Sequence, residues 1–168
     1  MNPRLRACRI TNRRRGFTLI EASLAVTIVG TAILAMMQLF ATCTQHNRAG
    51  ASMTTALYLA NNIQEAVADL PFNDPVGGKS NFGKETGETL ATFDDIDDFN
   101  GYSSTPPIDS QRTPVPELST YTQAIIVQAV DPNRLTLAAS GTDAVRVTVR
   151  ILYDGAEVYQ TSWVRMRT

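Results

Sequence analysis

The chain has few of the residues on which most catalytic and metal centres depend. It has one histidine, His46, and only two cysteines, Cys8 and Cys43, among 168 residues. A single histidine excludes most catalytic schemes that use imidazole as a base. No Cys-x-x-Cys or Cys/His spacing indicates a zinc site. The two cysteines lie on opposite sides of a long apolar run, which argues against a mutual disulfide.

One long stretch of the chain carries no charge, and the stretch before it carries only positive charges. No formally charged residue occurs from Ala22 to Asn47. With the residues just before it, this run exceeds the roughly 20 apolar residues that span a bilayer as a helix. The first sixteen residues hold six arginines and no acid, so the rest of the chain is distinctly acidic although the formal total is −1. An acidic body without a basic stripe argues against nucleic acid as a partner.

These patterns predict the topology of the chain. Arginines on one side of an apolar span indicate that this side stays in the cytoplasm. We therefore expect a single-pass protein of the inner membrane, with its N-terminus cytoplasmic and its C-terminal part extracytoplasmic. A cleaved secretory signal is the alternative, but its apolar region has about 7–15 residues and ends at a small-x-small site. This run is longer, and its end, MMQLFATCTQ, has no such site and only a poor lipobox before Cys43.

One residue does not fit a plain membrane anchor. Glu21 lies near the start of the apolar segment, where a carboxylate is costly unless it has a partner. The surrounding residues, Gly16-Phe17-Thr18-Leu19-Ile20-Glu21, follow an Arg-rich leader and precede the apolar helix. This arrangement resembles the processing site of type IV prepilins and type II secretion pseudopilins.

The resemblance implies specific roles for three residues. A membrane-embedded prepilin peptidase is expected to cut between Gly16 and Phe17 on the cytoplasmic side and to N-methylate Phe17. Residues 1–16 are then a leader peptide, and Glu21 pairs with the new amine of a neighbouring subunit during assembly. The implied partners are the prepilin peptidase, other pilin or pseudopilin subunits, the inner-membrane assembly platform and membrane lipid.

The helical pattern continues beyond the membrane segment. We expect residues 17–47 to form the transmembrane or filament-core half of one helix, and residues 48–70 to form an amphipathic half. Its apolar stripe consists of Met53, Ala56, Leu57, Ala60, Ile63, Val67 and Leu70. Pro71 is expected to end the helix. The stretch ALYLANNIQEAVADLPF resembles the corresponding part of minor pilins and pseudopilins, including the I-type tip subunit of the secretion system.

Residues 71–120 are rich in proline, glycine, serine and aspartate, and they predict an irregular acidic loop region. Asp94, Asp95, Asp97 and Asp98 lie close together within it and are candidate ligands for Ca²⁺, which prefers carboxylate oxygens. A solvated acidic loop anchored by Phe93, Phe99 and Tyr102 is the alternative. Apart from this candidate cation, the sequence indicates no cofactor. A hydrolase that uses these carboxylates has no further support, so we expect no enzyme.

Strand patterns return in residues 121–168. Tyr121 to Val130 is apolar and β-branched, a short strand is expected near Leu135 to Ala138, and Val145 to Ile151 alternates cleanly. Asp154-Gly155 predicts a hairpin turn before a last strand. The expected fold is α+β and pilin-like, with one long N-terminal helix packed on a small antiparallel sheet. The expected function is a minor pilin or pseudopilin. The alternative is a membrane-anchored extracytoplasmic binding domain that forms no filament.

Overall fold

A computed structural model describes residues 16–72, 74–75 and 82–167 of the chain. It contains one long helix, α1 (Leu19–Ala66), and five strands, β1 (Ser103–Ser104), β2 (Tyr121–Asp131), β3 (Arg134–Ala138), β4 (Ala144–Tyr153) and β5 (Ala156–Met166). The chain divides into two compact units, Met1–His46 and Asn47–Thr168. The predicted leader, apart from Gly16, lies outside the described residues.

The described part of the first unit is the apolar portion of α1. Its side chains are exposed, and the helix is long and apolar enough to cross a membrane by length and composition. Its hydroxyl groups are satisfied within the helix, since Ser23, Thr27 and Thr31 donate to the backbone carbonyls of Ile20, Ser23 and Ile28. Such internal bonds remove the need for water, which suits a polar side chain in lipid.

In the second unit, α1 presents a narrow face to the sheet. The buried helix residues are Ala56, Leu59, Ala60, Asn62 and Ile63, and Val67 follows them in the terminal turn. Met53 and Leu57, predicted for the apolar stripe, are 46% and 44% exposed. The buried face is therefore rotated from the predicted one towards Leu59 and Asn62. The periodicity alone could not locate the centre of the face, because apolar residues occur on both of its edges.

The sheet has the order β1-β2-β4-β5, with β3 also paired to β2, and all of these pairings are antiparallel. The alternation predicted for β4 is confirmed, because Val145, Val147, Val149 and Ile151 are buried at 0–3% exposure. Asp154 and Gly155, with φ of 50° and 79°, form the predicted turn into β5. The α+β fold class, with a long N-terminal helix on a small antiparallel sheet, is confirmed.

The segment before β2 is less irregular than its composition predicts. It contributes the edge strand β1 and two short 3₁₀ turns, Asp97–Phe99 and Pro116–Leu118. Gln123 of β2, fully buried, joins this segment to the helix. Its Nε2 donates to the Leu59 carbonyl and to the Ile108 carbonyl at 3.0 Å each, and its Oε1 accepts from the Ile108 amide at 2.7 Å. One side chain thus positions three parts of the second unit.

Candidate functional site

The residues of the predicted cleavage site lie just before the helix. Gly16, Phe17 and Thr18 have no regular secondary structure, and α1 begins at Leu19. Phe17 is 79% exposed, and a Cβ built on Gly16 would meet no atom within 4 Å. The Gly16–Phe17 peptide bond is therefore accessible, and it precedes the hydrogen-bonded part of the helix. A peptidase can bind it without unwinding a helical turn.

Glu21 and Thr18 form a reciprocal hydrogen-bonded cap on α1. The Thr18 backbone amide donates to Glu21 Oε2 at 3.2 Å, and the Thr18 hydroxyl donates to the same oxygen at 3.0 Å. The Glu21 amide in turn donates to the Thr18 hydroxyl oxygen at 3.3 Å. This is the capping-box arrangement, in which Thr18 is the N-cap and Glu21 is the third helical residue. The carboxylate also faces the positive end of the helix dipole.

The cap gives the Glu21 carboxylate hydrogen-bond partners within its own chain. Both groups remain exposed within the described residues, so a positive group of another molecule can reach the carboxylate. The sequence contained the signal for this role, because Thr-x-x-Glu before an apolar run is the capping-box pattern. From the sequence we predicted no role for Thr18 as the N-cap of α1.

Farther along the chain, the predicted acidic residues are largely buried. Asp95, Asp97 and Asp98 are 2%, 7% and 2% exposed, and Asp94 is half-buried. Their carboxylates accept backbone bonds: Asp98 Oδ2 from the amides of Asp94 and Asp95, and Asp95 Oδ1 from those of Asp97 and Asp98. Asp97 Oδ2 accepts from the amide of Gly83 at 2.8 Å. Asp95, Asp97 and Asp98 are therefore not solvated as the loop alternative expected, because their carboxylates accept the backbone bonds of a tight turn.

The three predicted aromatic anchors are confirmed. Phe93, Phe99 and Tyr102 form edge-to-face contacts with ring centroids 5.1–6.1 Å apart. Arg112 also holds this segment in place, since its Nη1 donates to the carbonyls of Leu90 and Phe93 at 3.1 and 2.7 Å. Its guanidinium also lies over the Phe99 ring, 5.3 Å from the centroid. The acidic turn is thus held against the domain by aromatic packing and by the Arg112 guanidinium.

The structure groups the candidate cation ligands differently from the sequence prediction. Of the four predicted aspartates, Asp98 joins Glu85 and Glu88, and one carboxylate oxygen from each of the three lies within 4.8 Å of the others. Asp94, Asp95 and Asp97 are not part of this group. The two glutamates were missed because they lie outside the aspartate run, in the GKETGET stretch. Calcium binding by this segment stays a prediction.

Two carboxyl groups of this segment have strongly raised pKa values. Burial, followed by the neighbouring Asp97 carboxyl, raises the pKa of Asp95 to about 8. The hydrogen bond with Glu88, followed by burial and the Glu88 charge, raises the pKa of Glu85 to about 7. Both groups therefore resist ionisation in the folded chain. Crowded carboxyls of this kind favour either a bound proton or another cation between them.

One comparison with known proteins identifies the N-terminal segment. Residues 11–37 match the family model described as the prokaryotic N-terminal methylation motif. The match begins before the arginines at 13–15, includes Gly16, Phe17 and Glu21, and ends within the apolar part of α1. A search of curated proteins and a search of solved structures gave no match. The chain therefore carries a prokaryotic N-terminal methylation motif, which supports a type IV pilin-like protein processed by a prepilin peptidase.

Proposed function

We propose that this chain is a minor pilin or pseudopilin, a non-enzymatic subunit of a type IV pilus or a type II secretion pseudopilus. A prepilin peptidase cuts between Gly16 and Phe17 and methylates the new amine of Phe17. The mature subunit is then held in the inner membrane by α1 until it is assembled. The methylation motif at residues 11–37 is the observation on which this proposal chiefly rests.

The geometry of the N-terminal segment supports each step. The Gly16–Phe17 bond is exposed and precedes α1, so it suits cleavage at the cytoplasmic face. Cleavage creates a positive amine at Phe17, and Glu21 offers a carboxylate one helical turn away. In a low-dielectric helix bundle, an unpaired charge is costly and a paired one is tolerated. Pairing of Glu21 with the Phe17 amine of a neighbouring subunit therefore acts as a check on register during assembly.

The apolar part of α1 offers a surface that either lipid or neighbouring subunits can cover. Its side chains are exposed along the whole length, including Leu24, Ile28 and Met36 at 59–66%. A Cβ built on Gly30 would meet no atom within 4 Å, so close packing at this glycine requires a second helix. We propose that neighbouring subunits and the inner-membrane assembly platform supply these contacts. Lipid occupies the same surface before assembly.

Mass spectrometry of the chain expressed with a prepilin peptidase tests the processing step. We expect a mature species that begins at Phe17 and carries one methyl group on its amine. Gly16→Val should abolish cleavage, because a branched side chain replaces the only Cβ-free residue at the cut. Gly30→Ala is the matched control, since it changes a glycine of the same chain away from the cut, and it should leave processing unchanged.

The same spectra decide between this function and its alternative. A mature form that keeps Met1, or a chain cut near Cys43, would contradict the proposal. Such a result would favour a membrane-anchored extracytoplasmic domain that joins no filament. Filament membership is tested separately, by isolating sheared surface filaments or the secretion pseudopilus and detecting the subunit by its tryptic peptides.

A further inference from the structure

A groove of about 670 Å³ lies beside the first turns of α1 in the second unit. Arg48, Ser52 and Thr55 line it from the helix, and Tyr121 and Tyr153 line it from the sheet. The two tyrosines are cross-strand partners on β2 and β4, and their ring centroids lie 4.9 Å apart. The groove thus has a wall of two tyrosine rings in tilted contact, 60° apart, and a single positive group.

Arg48 is the residue of the groove that has no side-chain partner among the described residues. It is exposed, and among residues 16–72, 74–75 and 82–167 it forms no ion pair and no side-chain hydrogen bond. Two other arginines of the second unit differ in this respect, since Arg150 pairs with Glu157 and Arg167 pairs with Asp143. An arginine without a carboxylate partner has its full set of donors available for an anion.

The other polar groups of the groove differ in what they can offer. The hydroxyls of Ser52 and Thr55 donate to the backbone carbonyls of Ala49 and Ala51, so their protons are already used. Tyr153 is 42% exposed, and tyrosine carries a phenolic donor at the end of an apolar ring. A ligand of this groove therefore needs one anionic group for the guanidinium and some apolar surface for the rings.

The position of Arg48 in the chain indicates which anion this is. Arg48 is the first charged residue after Glu21. The uncharged run of residues 22–47 that precedes it exceeds the roughly 20 apolar residues that span the hydrocarbon core of a bilayer. With the start of this run at the cytoplasmic edge, as the proposed function has it, the first charged residue after the run belongs to the headgroup layer of the opposite leaflet. Tyrosine and arginine are both common in that layer.

We propose that the groove formed by Arg48, Tyr121 and Tyr153 binds the phosphate diester of a phospholipid headgroup before the subunit is assembled. The Arg48 guanidinium binds the phosphate oxygens, and the exposed part of the Tyr153 ring, backed by the buried Tyr121, packs on the glycerol region. This proposal rests on the proposed function for the orientation of α1. It adds a specific lipid site in the extracytoplasmic unit.

Native mass spectrometry of the full-length chain in detergent micelles tests this site. Phosphatidylglycerol and phosphatidylcholine should both be retained, because both carry a phosphate diester, whereas diacylglycerol with the same acyl chains should not. Arg48→Gln should lower the bound fraction about tenfold, as expected for the loss of a charge-assisted contact. Arg134→Gln is the matched control, since it removes an exposed arginine elsewhere in the same unit, and its lipid retention should equal that of the wild type.

The remaining outcomes overturn the proposal in distinguishable ways. Equal lipid retention by the wild type and Arg48→Gln shows that the groove binds no headgroup. Displacement of the lipid by millimolar inorganic phosphate shows that the groove binds a free anion instead. A lipid-free dimer that is lost in Arg48→Gln shows that its occupant is a second copy of this chain. The intact mass in the same spectra reports cleavage at Gly16 independently, so a failure of the proposed function is seen separately.

Discussion

The carboxylate of Glu21 is bound by Thr18 of its own chain, through the Thr18 amide at 3.2 Å and the Thr18 hydroxyl at 3.0 Å. The residue expected to recognise a neighbouring subunit is therefore already a cap of its own helix. An incoming amine has to share or displace these bonds. Pairing between subunits is thus an exchange of partners for Glu21, and it leaves the carboxylate with a partner throughout.

The cap itself can be measured in the single chain. Thr18→Val removes the hydroxyl that both donates to Glu21 Oε2 and accepts from the Glu21 amide. Loss of such an N-cap costs about 1 kcal/mol of helix stability. In lipid bicelles, hydrogen exchange at the Glu21 amide should accelerate about fivefold.

Thr27→Val is the control for this measurement. It removes a hydroxyl that donates to the Ser23 carbonyl within the helix and does not cap its end. Exchange at the Glu21 amide should be unchanged in that variant. Equal exchange rates at Glu21 in Thr18→Val and the wild type would show that the cap contributes nothing in lipid.

The charge of Glu21 is predicted to be needed for assembly and not for processing. Glu21→Gln keeps an oxygen that can accept the Thr18 bonds, but it cannot form an ion pair with an amine. Glu21→Val removes both functions. We expect both variants to be cleaved after Gly16, while their incorporation into filaments, measured by immunoblotting of sheared fractions, falls at least tenfold for a lost charge pair.

Glu65→Gln serves as the matched control for incorporation, because Glu65 is an exposed carboxylate on the same helix. It should be incorporated as the wild type is. Normal incorporation of Glu21→Gln, together with failure of Glu21→Val, would assign the role to the cap and not to the charge. Normal incorporation of both variants would show that assembly does not need Glu21.

Arg165 is predicted to stabilise the second unit through the end of α1. Its Nη1 donates to the carbonyls of Val67 and Ala68 at 2.9 Å each, in the turn that directly follows α1. Arg165→Met should lower the free energy of unfolding by about 1–2 kcal/mol, measured by urea titration of the full chain in detergent.

The comparison for Arg165 is Arg150→Met. Arg150 pairs with Glu157, but both side chains are about 40% exposed, and exposed pairs contribute about 0–1 kcal/mol. A loss in Arg150→Met as large as that in Arg165→Met would show that the contacts with the helix carbonyls are not the cause.

The acidic turn predicts a pH dependence of stability. The pKa of Asp95 is raised to about 8 in the folded chain, whereas an aspartate in an unfolded chain has a pKa of about 3.9. Between these values the folded chain holds a proton that the unfolded chain has lost. Stability should therefore fall as the pH rises from about 4 to about 8, and this contribution should level off above that. Urea titrations across this range measure it.

Asp95→Asn is the variant that isolates this effect. Asparagine keeps the Oδ1 acceptor for the Asp97 and Asp98 amides and does not ionise. It should flatten the pH dependence, with the remaining slope due mainly to Glu85, whose pKa is about 7. If the wild type and Asp95→Asn lose stability equally with rising pH, the proton is not held at Asp95.

The sequence was sufficient wherever neighbours along the chain determine the structure. The turn at Asp154-Gly155 requires residues that tolerate positive φ, and the alternation of β4 follows from the two faces of a strand, so both were predictable. The buried face of α1 was placed less accurately. Met53 and Leu57 are apolar yet exposed, while Asn62 is buried, because the position of the sheet decides which edge of an apolar stripe is covered.

By itself, the sequence indicated the N-terminal methylation motif, since Gly16, Phe17 and Glu21 lie within six residues and the motif depends on local order and an apolar helix. Only the tertiary structure decided the long-range pairs. Folding brings Arg165 to the end of α1, places Gln123 between Leu59 and Ile108, and joins Asp98 with Glu85 and Glu88. These residues meet because the sheet and the helix bury their apolar faces against each other. Contacts between residues so far apart in the sequence cannot be predicted from a local pattern.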